Sequence, residues 1–268
     1  MWRILTARIK QKYRTYDYPR QKPALPAKFR GRPVLDGQSV KDSERIVQSC
    51  PTGAISAGAD RKLRLDMGLC IFCGQCEKAC SGEGIRGIKF SREYALATRR
   101  REDLVLTGQE QKLAEALDKK SLLLFGHSLK LRQVSAGGCN ACEADVNVLN
   151  TVIFDLGRFG IQFVASPRHA DGLLITGPVT RNMELALQKA YAAVPGPKIV
   201  IAVGACAVSG GIYAGHDECY RGAGDLLEVD LFIPGCPPHP WTILDGILRL
   251  LGRLTGQISG NPLMKRAD

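Results

Sequence analysis

The sequence predicts an α/β fold built on a doubly wound parallel sheet, preceded by a smaller cysteine-rich α+β unit. Three observations carry this reading. From residue 129 onward, short apolar β-branched runs alternate with helical patterns; a closely strided cysteine motif lies ahead of them; and 268 residues, 45% of them hydrophobic, are enough for one medium and one small core. The same composition excludes a disordered chain.

Taken in order, residues 1–30 read as a basic arm. They hold nine Lys or Arg (Arg3, Arg8, Lys10, Lys12, Arg14, Arg20, Lys22, Lys28, Arg30) against Asp17 alone, which is +8 of the formal +11. Such an arm suits RNA, anionic lipid head groups or an acidic partner subunit, but it contains no recognisable nucleic-acid module, so no nucleic-acid partner is expected. The arm has neither an apolar signal-peptide core nor a twin arginine beside a hydrophobic run, which predicts a reducing compartment. There, ten spaced cysteines read as metal ligands more readily than as disulfides. The longest apolar run, Ile199 to Val208, is interrupted by Gly204 and is too short to span a bilayer.

Residues 31–92 form the small unit. Cys70, Cys73 and Cys76 follow a two-residue stride, with Cys80 after them and Cys50-Pro51 upstream. Three thiolates on that stride wrap one loop around a cubane, each facing a different iron. Zinc sites use separated CxxC pairs or histidines instead. In two-cluster ferredoxins the fourth cysteine of each run serves the other cluster. Counting back from Cys50 by that pattern, an earlier run would need cysteines where this chain has Val40, Ser43 and Ile46. One site has therefore lost its ligands, and the surviving [4Fe–4S] site is expected on Cys50, Cys70, Cys73 and Cys76. The alternative is that Cys80 closes a local site and Cys50 is a buried thiol. Pro51 and the following TGAIS favour Cys50.

Residues 93–128 read as a linker, and residues 129–268 as the α/β domain. Strands are expected at Leu129–Val134, Gln162–Ala165, Gly172–Thr176, Ile199–Val203 and Val229–Ile233. Helical faces are spaced as Met183, Leu187, Ala190, Tyr191, Val194 and as Ile243, Ile247, Leu250, Leu251, Leu254, with Pro240 suited to a first turn. Ligands of such a sheet bind outside the carboxyl ends of its strands. Cys139 and Cys142, Cys206 and Cys236 all follow strand ends, and four thiolates converging there suit a second [4Fe–4S] cluster. Gly137, Gly138, Gly204 and Gly235 bring backbone N–H groups close to it, or simply make strand-to-helix turns. A nucleotide would fit the same crevice, but no phosphate loop or G-x-G-x-x-G follows any of these strands. Two clusters with four thiolates each are net −2 apiece, which takes the formal charge to about +7.

LFGHSLKLRQVSAGGCNACEADV, RFGIQFVASPRHADGLLITGPVTRNM, GACAVSGGIY and IPGCPPHPWTILDGI resemble the small electron-transfer subunit of membrane-bound, energy-converting [NiFe] hydrogenases of the formate hydrogenlyase type. That subunit is related to the complex I subunit that carries the last cluster. KFRGRPVLD through CPTGAIS and CIFCGQCEKAC resemble instead the ferredoxin-like subunit of the same assemblies, so two subunits look fused. The resemblance implies a flavodoxin-like α/β domain behind a ferredoxin-like one, and a cluster on Cys139, Cys142, Cys206 and Cys236 proximal to a partner's active site. It also implies a hydrogenase large subunit and membrane-arm subunits as partners, and a peripheral position on the cytoplasmic face of the inner membrane. Complex I subunits typically open this site with adjacent cysteines. Here Asn140 and Ala141 separate them, as in hydrogenases. The ferredoxin-like subunits normally keep two clusters, whereas this chain has ligands for one.

No residue of this chain is expected to perform bond chemistry; its work is electron transfer. Glu143 and Asp145 suit either a proton relay or a first helical turn. His127, His169, His216 and His239 read as surface or interface residues, Cys219 as a free structural thiol, and Arg168–Asp171 as a docking element at the cluster edge or a local turn. Two further readings stay open: the same relay in a nickel-free, complex I-like quinone or other carrier oxidoreductase, and a polyanion-binding module with structural clusters.

Overall fold

A computed structural model describes residues 2–35, 43–80, 87–108 and 111–254. The chain opens with helix α1 (Trp2–Gln11), none of whose residues is buried. The rest of the basic arm is docked on its own chain. Tyr18 is 3% exposed, packs its ring against Tyr94 and Trp241, and donates its hydroxyl to Asp245 Oδ1 at 2.9 Å.

The small unit contains β1 (Pro33–Leu35), α2 (Ser43–Gln48), β2 (Ile55–Ala57), β3 (Leu63–Asp66), α3 (Gln75–Ala79), β4 (Ile88–Phe90) and β5 (Val105–Leu106). β1 pairs with β4, and β2, β3 and β5 form a second antiparallel sheet. Of the three positions where an earlier run would need ligands, Val40 lies outside the described residues, while Ser43 and Ile46 are buried.

Part of the stretch 93–128, expected as a linker, is buried. Tyr94 to Thr98 are buried, and Thr98 exchanges both backbone hydrogen bonds with Phe232, capping the edge of the large sheet. Arg101 forks onto Asp66 of β3 at 2.8 and 2.6 Å, and Asp118 caps α4 (Lys119–Phe125) by accepting from the N–H groups of Lys120 and Ser121. Thr98, buried in an otherwise apolar stretch, thus finds its partners in strand pairing.

The large unit comprises β6 (Leu129–Ser135), α5 (Ala141–Val148), β7 (Ile161–Phe163), β8 (Gly172–Thr176), α6 (Arg181–Ala193), β9 (Ile199–Val203), α7 (Ala205–Ser209), β10 (Leu231–Ile233) and α8 (Pro240–Leu250). Its sheet is wholly parallel, in the order β10-β9-β8-β6-β7. This is the flavodoxin-like order, with the topological switch between β6 and β8. β8, β9 and β10 are buried at every position, as strands covered on both faces must be.

Two cores flank the sheet. One joins α5, α8 and the arm residue Tyr18; the other runs from Ile46, Leu65, Cys70 and Cys76 of the small unit to Leu173, Ile175, Val200 and Val208 of the large one. The small unit thus shares its core with one face of the sheet. α8 is buried all round, and its Asp245 and Arg249 meet each other at 2.7 Å instead of water. Ser209 Oγ donates to Gly68 O at 2.5 Å, tying α7, the helix that carries Cys206, to the loop before Cys70.

Candidate functional site

The first cysteine group is shaped by a loop that bends at Phe72 (φ 54°) and Gly74 (φ 78°) before entering α3. Cys50, Cys70, Cys73 and Cys76 line one cavity with Ile55, Leu65 and Phe90. Backbone N–H groups aim at the sulfurs: Ala54 donates to Cys50 Sγ and Phe72 to Cys70 Sγ, each at 3.3 Å. Burial, then the neighbouring thiols Cys76, Cys50 and Cys73, push Cys70 up to about 12 against the Phe72 N–H. Burial likewise pushes Cys76 up to about 12, with Cys50, Cys73 and Cys80 adding to it. Cys70 and Cys76 resist ionisation, yet backbone N–H groups aim at sulfur here, which suits a cationic iron core that offsets the repulsion among thiolates.

Cys80 points elsewhere. Its Sγ accepts from Ile88 N at 3.3 Å, and a Cβ built on Gly87 would stand 2.5 Å from that sulfur and 3.2 Å from Ile46 Cδ1. Cys80 and Ile46 therefore fill the small unit's interior together and away from the cavity.

The second group lies at the carboxyl edge of the parallel sheet. Cys139 and Cys142 follow β6, Cys206 follows β9 and Cys236 follows β10. Burial, then Cys206, Glu143, Cys236 and Cys139, push the Cys142 thiol far above the usual range. Cys206 rises to about 11 through burial and then Cys236, Cys139 and Cys219. Cys236 is raised by burial and by Cys139. The four thiols expected to act together thus lie within electrostatic reach of one another, and Cys219 joins them beside Cys206. Gly204 makes the approach possible. At φ 91° a Cβ there would stand 2.5 Å from Cys142 Sγ, so no other residue leaves that sulfur its place.

Glu143 sits in the first turn of α5, buried, with Oε1 accepting from Ser135 Oγ at 2.5 Å and Thr176 Oγ1 at 2.7 Å. Burial opposes its charge, but the two hydroxyls hold the carboxyl below its usual range. It ties α5 to the ends of β6 and β8, at the switch point. Sequence reasoning missed Ser135 and Thr176; Thr176 is marked as the lone polar residue closing GLLIT, whereas Ser135 ends LKLRQVS with no such marker. Burial raises the Asp145 carboxyl, which lines a cleft with Phe72 and Cys236.

Among the described residues, no histidine lines the cavity of Cys50, Cys70, Cys73 and Cys76. His127, His169 and His216 are exposed, while His239 Nδ1 accepts from Trp241 N at 3.2 Å, and burial holds its pKa down. Arg168–Asp171 does not lie at the cysteine edge. Asp171 Oδ2 accepts from Lys130 N at 2.6 Å at the start of β6, because a short turn has already carried the chain back across the sheet.

One cleft joins the two groups. Arg30, Ile71, Phe72, Leu96, Asp145, Cys236, Pro237 and His239 line it, so the loop between Cys70 and Cys73 faces the turn that carries Cys236. No group of three or more His, Cys, Asp or Glu among the described residues is placed to hold a metal ion. A cubane asks less of its thiolates than a single ion does, since each reaches a different iron.

Residues 139–250 match the family of the NADH ubiquinone oxidoreductase 20 Kd subunit. The probable membrane-bound hydrogenase subunit mbhJ of Pyrococcus furiosus is 38% identical over 151 residues, covering 56% of this chain and 90% of that protein. Formate hydrogenlyase subunit 7 of Escherichia coli is 48% identical over 143 residues, 52% of this chain and 55% of its own length. An NADH-quinone oxidoreductase subunit of Citrifermentans bemidjiense is 40% identical over 120 residues, 45% of this chain and 70% of that protein. The small unit and the arm lie outside the residues that the family model matches.

Proposed function

We propose that this chain, which belongs to the family of the NADH ubiquinone oxidoreductase 20 Kd subunit, is the electron-relaying iron–sulfur subunit of a membrane-associated, energy-converting [NiFe] hydrogenase. The observation that carries the relay is the shared cleft, with Phe72 of the first cysteine loop on one wall and Cys236 on the other. Cys50, Cys70, Cys73 and Cys76 would hold one [4Fe–4S] cluster, and Cys139, Cys142, Cys206 and Cys236 the other. Such clusters, when bound, take up and release single electrons. The chain's own residues position and insulate: Ala54 and Phe72 donate N–H bonds to sulfur, Glu143 fixes the CxxC helix, and the apolar cavity wall excludes water. Cys139 and Cys236 are exposed at the sheet edge, the surface where a large subunit would bring its own centre.

The relative from Citrifermentans bemidjiense supports a second reading, the same relay in a nickel-free complex that reduces quinone or another carrier. Asn140 and Ala141 between the first two cysteines favour the hydrogenase. The relay itself is tested by anaerobic reduction of the iron-loaded chain, followed by electron paramagnetic resonance. Two reducible cluster signals are expected. A single signal would overturn the two-cluster reading.

A further inference from the structure

The helix α1 is amphipathic, and among the described residues nothing buries it. α1 has no buried residue, and Trp2, Leu5 and Ile9 are 81%, 54% and 73% exposed. At 100° per residue these three fall on one stripe, with Arg3 and Lys10 on one flank and Arg8 on the other. The helix contains no acid. It is far too short to cross a bilayer, and no described helix is long and apolar enough to do so.

The surface at the root of this helix has the same chemistry. Tyr16 N donates to Ile153 O at 3.0 Å, and the neighbouring Val152 and Ile153 side chains are exposed. Arg158 donates to Tyr16 O at 2.6 Å, and a pocket beside the arm is lined by Arg20, Arg158 and Arg253 against Asp17 alone. Arg253 bonds the carbonyls of Gly126 and Phe159, next to the residues that start β6 and β7. This basic and apolar surface therefore lies at the amino edge of the sheet, opposite the cysteines.

We propose that α1 docks on an anionic lipid surface, its apolar stripe entering the head-group boundary and its flanking cations meeting lipid phosphates. Long basic side chains flanking a narrow apolar stripe are what an interfacial helix needs. The position opposite the cysteine edge leaves that edge open to the redox partner while the chain sits on the bilayer.

The test is flotation of the full, iron-loaded chain with vesicles of phosphatidylcholine alone and of phosphatidylcholine with phosphatidylglycerol. The wild type is expected to float with the anionic vesicles. Leu5→Glu with Ile9→Glu should abolish this, and Arg3→Gln with Arg8→Gln and Lys10→Gln should weaken it by about a hundredfold, since each surface cation contributes roughly fivefold. Acrylamide quenching of Trp2 should fall on binding, because the other tryptophan, Trp241, is already buried. None of these substitutions touches the core, and circular dichroism confirms the fold. Equal flotation by wild type and the Leu5/Ile9 variant would overturn the proposal. So would a wild type that ignores anionic vesicles while the variant loses co-purifying subunits, which would identify an acidic protein as the occupant.

Discussion

Cys50→Ser should remove about half the iron and labile sulfide of the chain, whereas Cys80→Ser should leave both unchanged. The two substitutions are matched in size, so the difference isolates the sulfur's place. Cys50 lines the cavity with Cys70, Cys73 and Cys76, and its charge acts on both Cys70 and Cys76. Cys80 is turned toward Ile46 and Ile88, and a serine hydroxyl there still accepts the Ile88 N–H. Iron and acid-labile sulfide analysis of the purified variants measures this directly. The reverse pattern, with Cys80→Ser losing the iron, would mean that the loop closes a local site and Cys50 is only a buried thiol.

Asp245→Ala should destabilise the folded chain by about 3–5 kcal/mol, the usual cost of removing one member of a buried ion pair. Asp245 is 0% and Arg249 2% exposed, and the Tyr18 hydroxyl also donates to this carboxylate. For a chain of this size the melting midpoint should fall by about 10 °C. Tyr18→Phe removes one neutral donor and should cost about 1 kcal/mol. Calorimetry of the iron-loaded variants reads both. An unchanged midpoint in Asp245→Ala would contradict the buried ion pair of α8.

Different parts of this structure were legible to different degrees. Gly172–Thr176 and Ile199–Val203 were read to the residue, because strands buried on both faces are written as unbroken apolar runs. β7 lies at the sheet edge with only Ile161 buried, so its pattern is weak, and its observed bounds are shifted from Gln162–Ala165 to Ile161–Phe163. β10 is shorter than Val229–Ile233, since Asp230 accepts from Val200 N and serves as a turn before Leu231. The convergence of Cys139, Cys142, Cys206 and Cys236 followed from their shared position after strand ends, which the parallel topology turns into proximity. Cys219 had no such marker; a backbone bridge between it and Thr180 carries its loop back beside Cys206. Residues 93–128 lacked periodicity because their burial comes from covering a sheet edge, and α8 hid its full burial because Asp245 and Arg249 neutralise each other one turn apart.

The metal content of the native complex decides whether these two cysteine groups serve a hydrogenase. The complex would be drawn intact from membranes through a tag on this chain and its nickel and iron measured. Nickel in a stoichiometric amount with the chain, alongside iron for both clusters, is the expected result. Iron without nickel would contradict the hydrogenase reading and assign the relay to a quinone or another carrier.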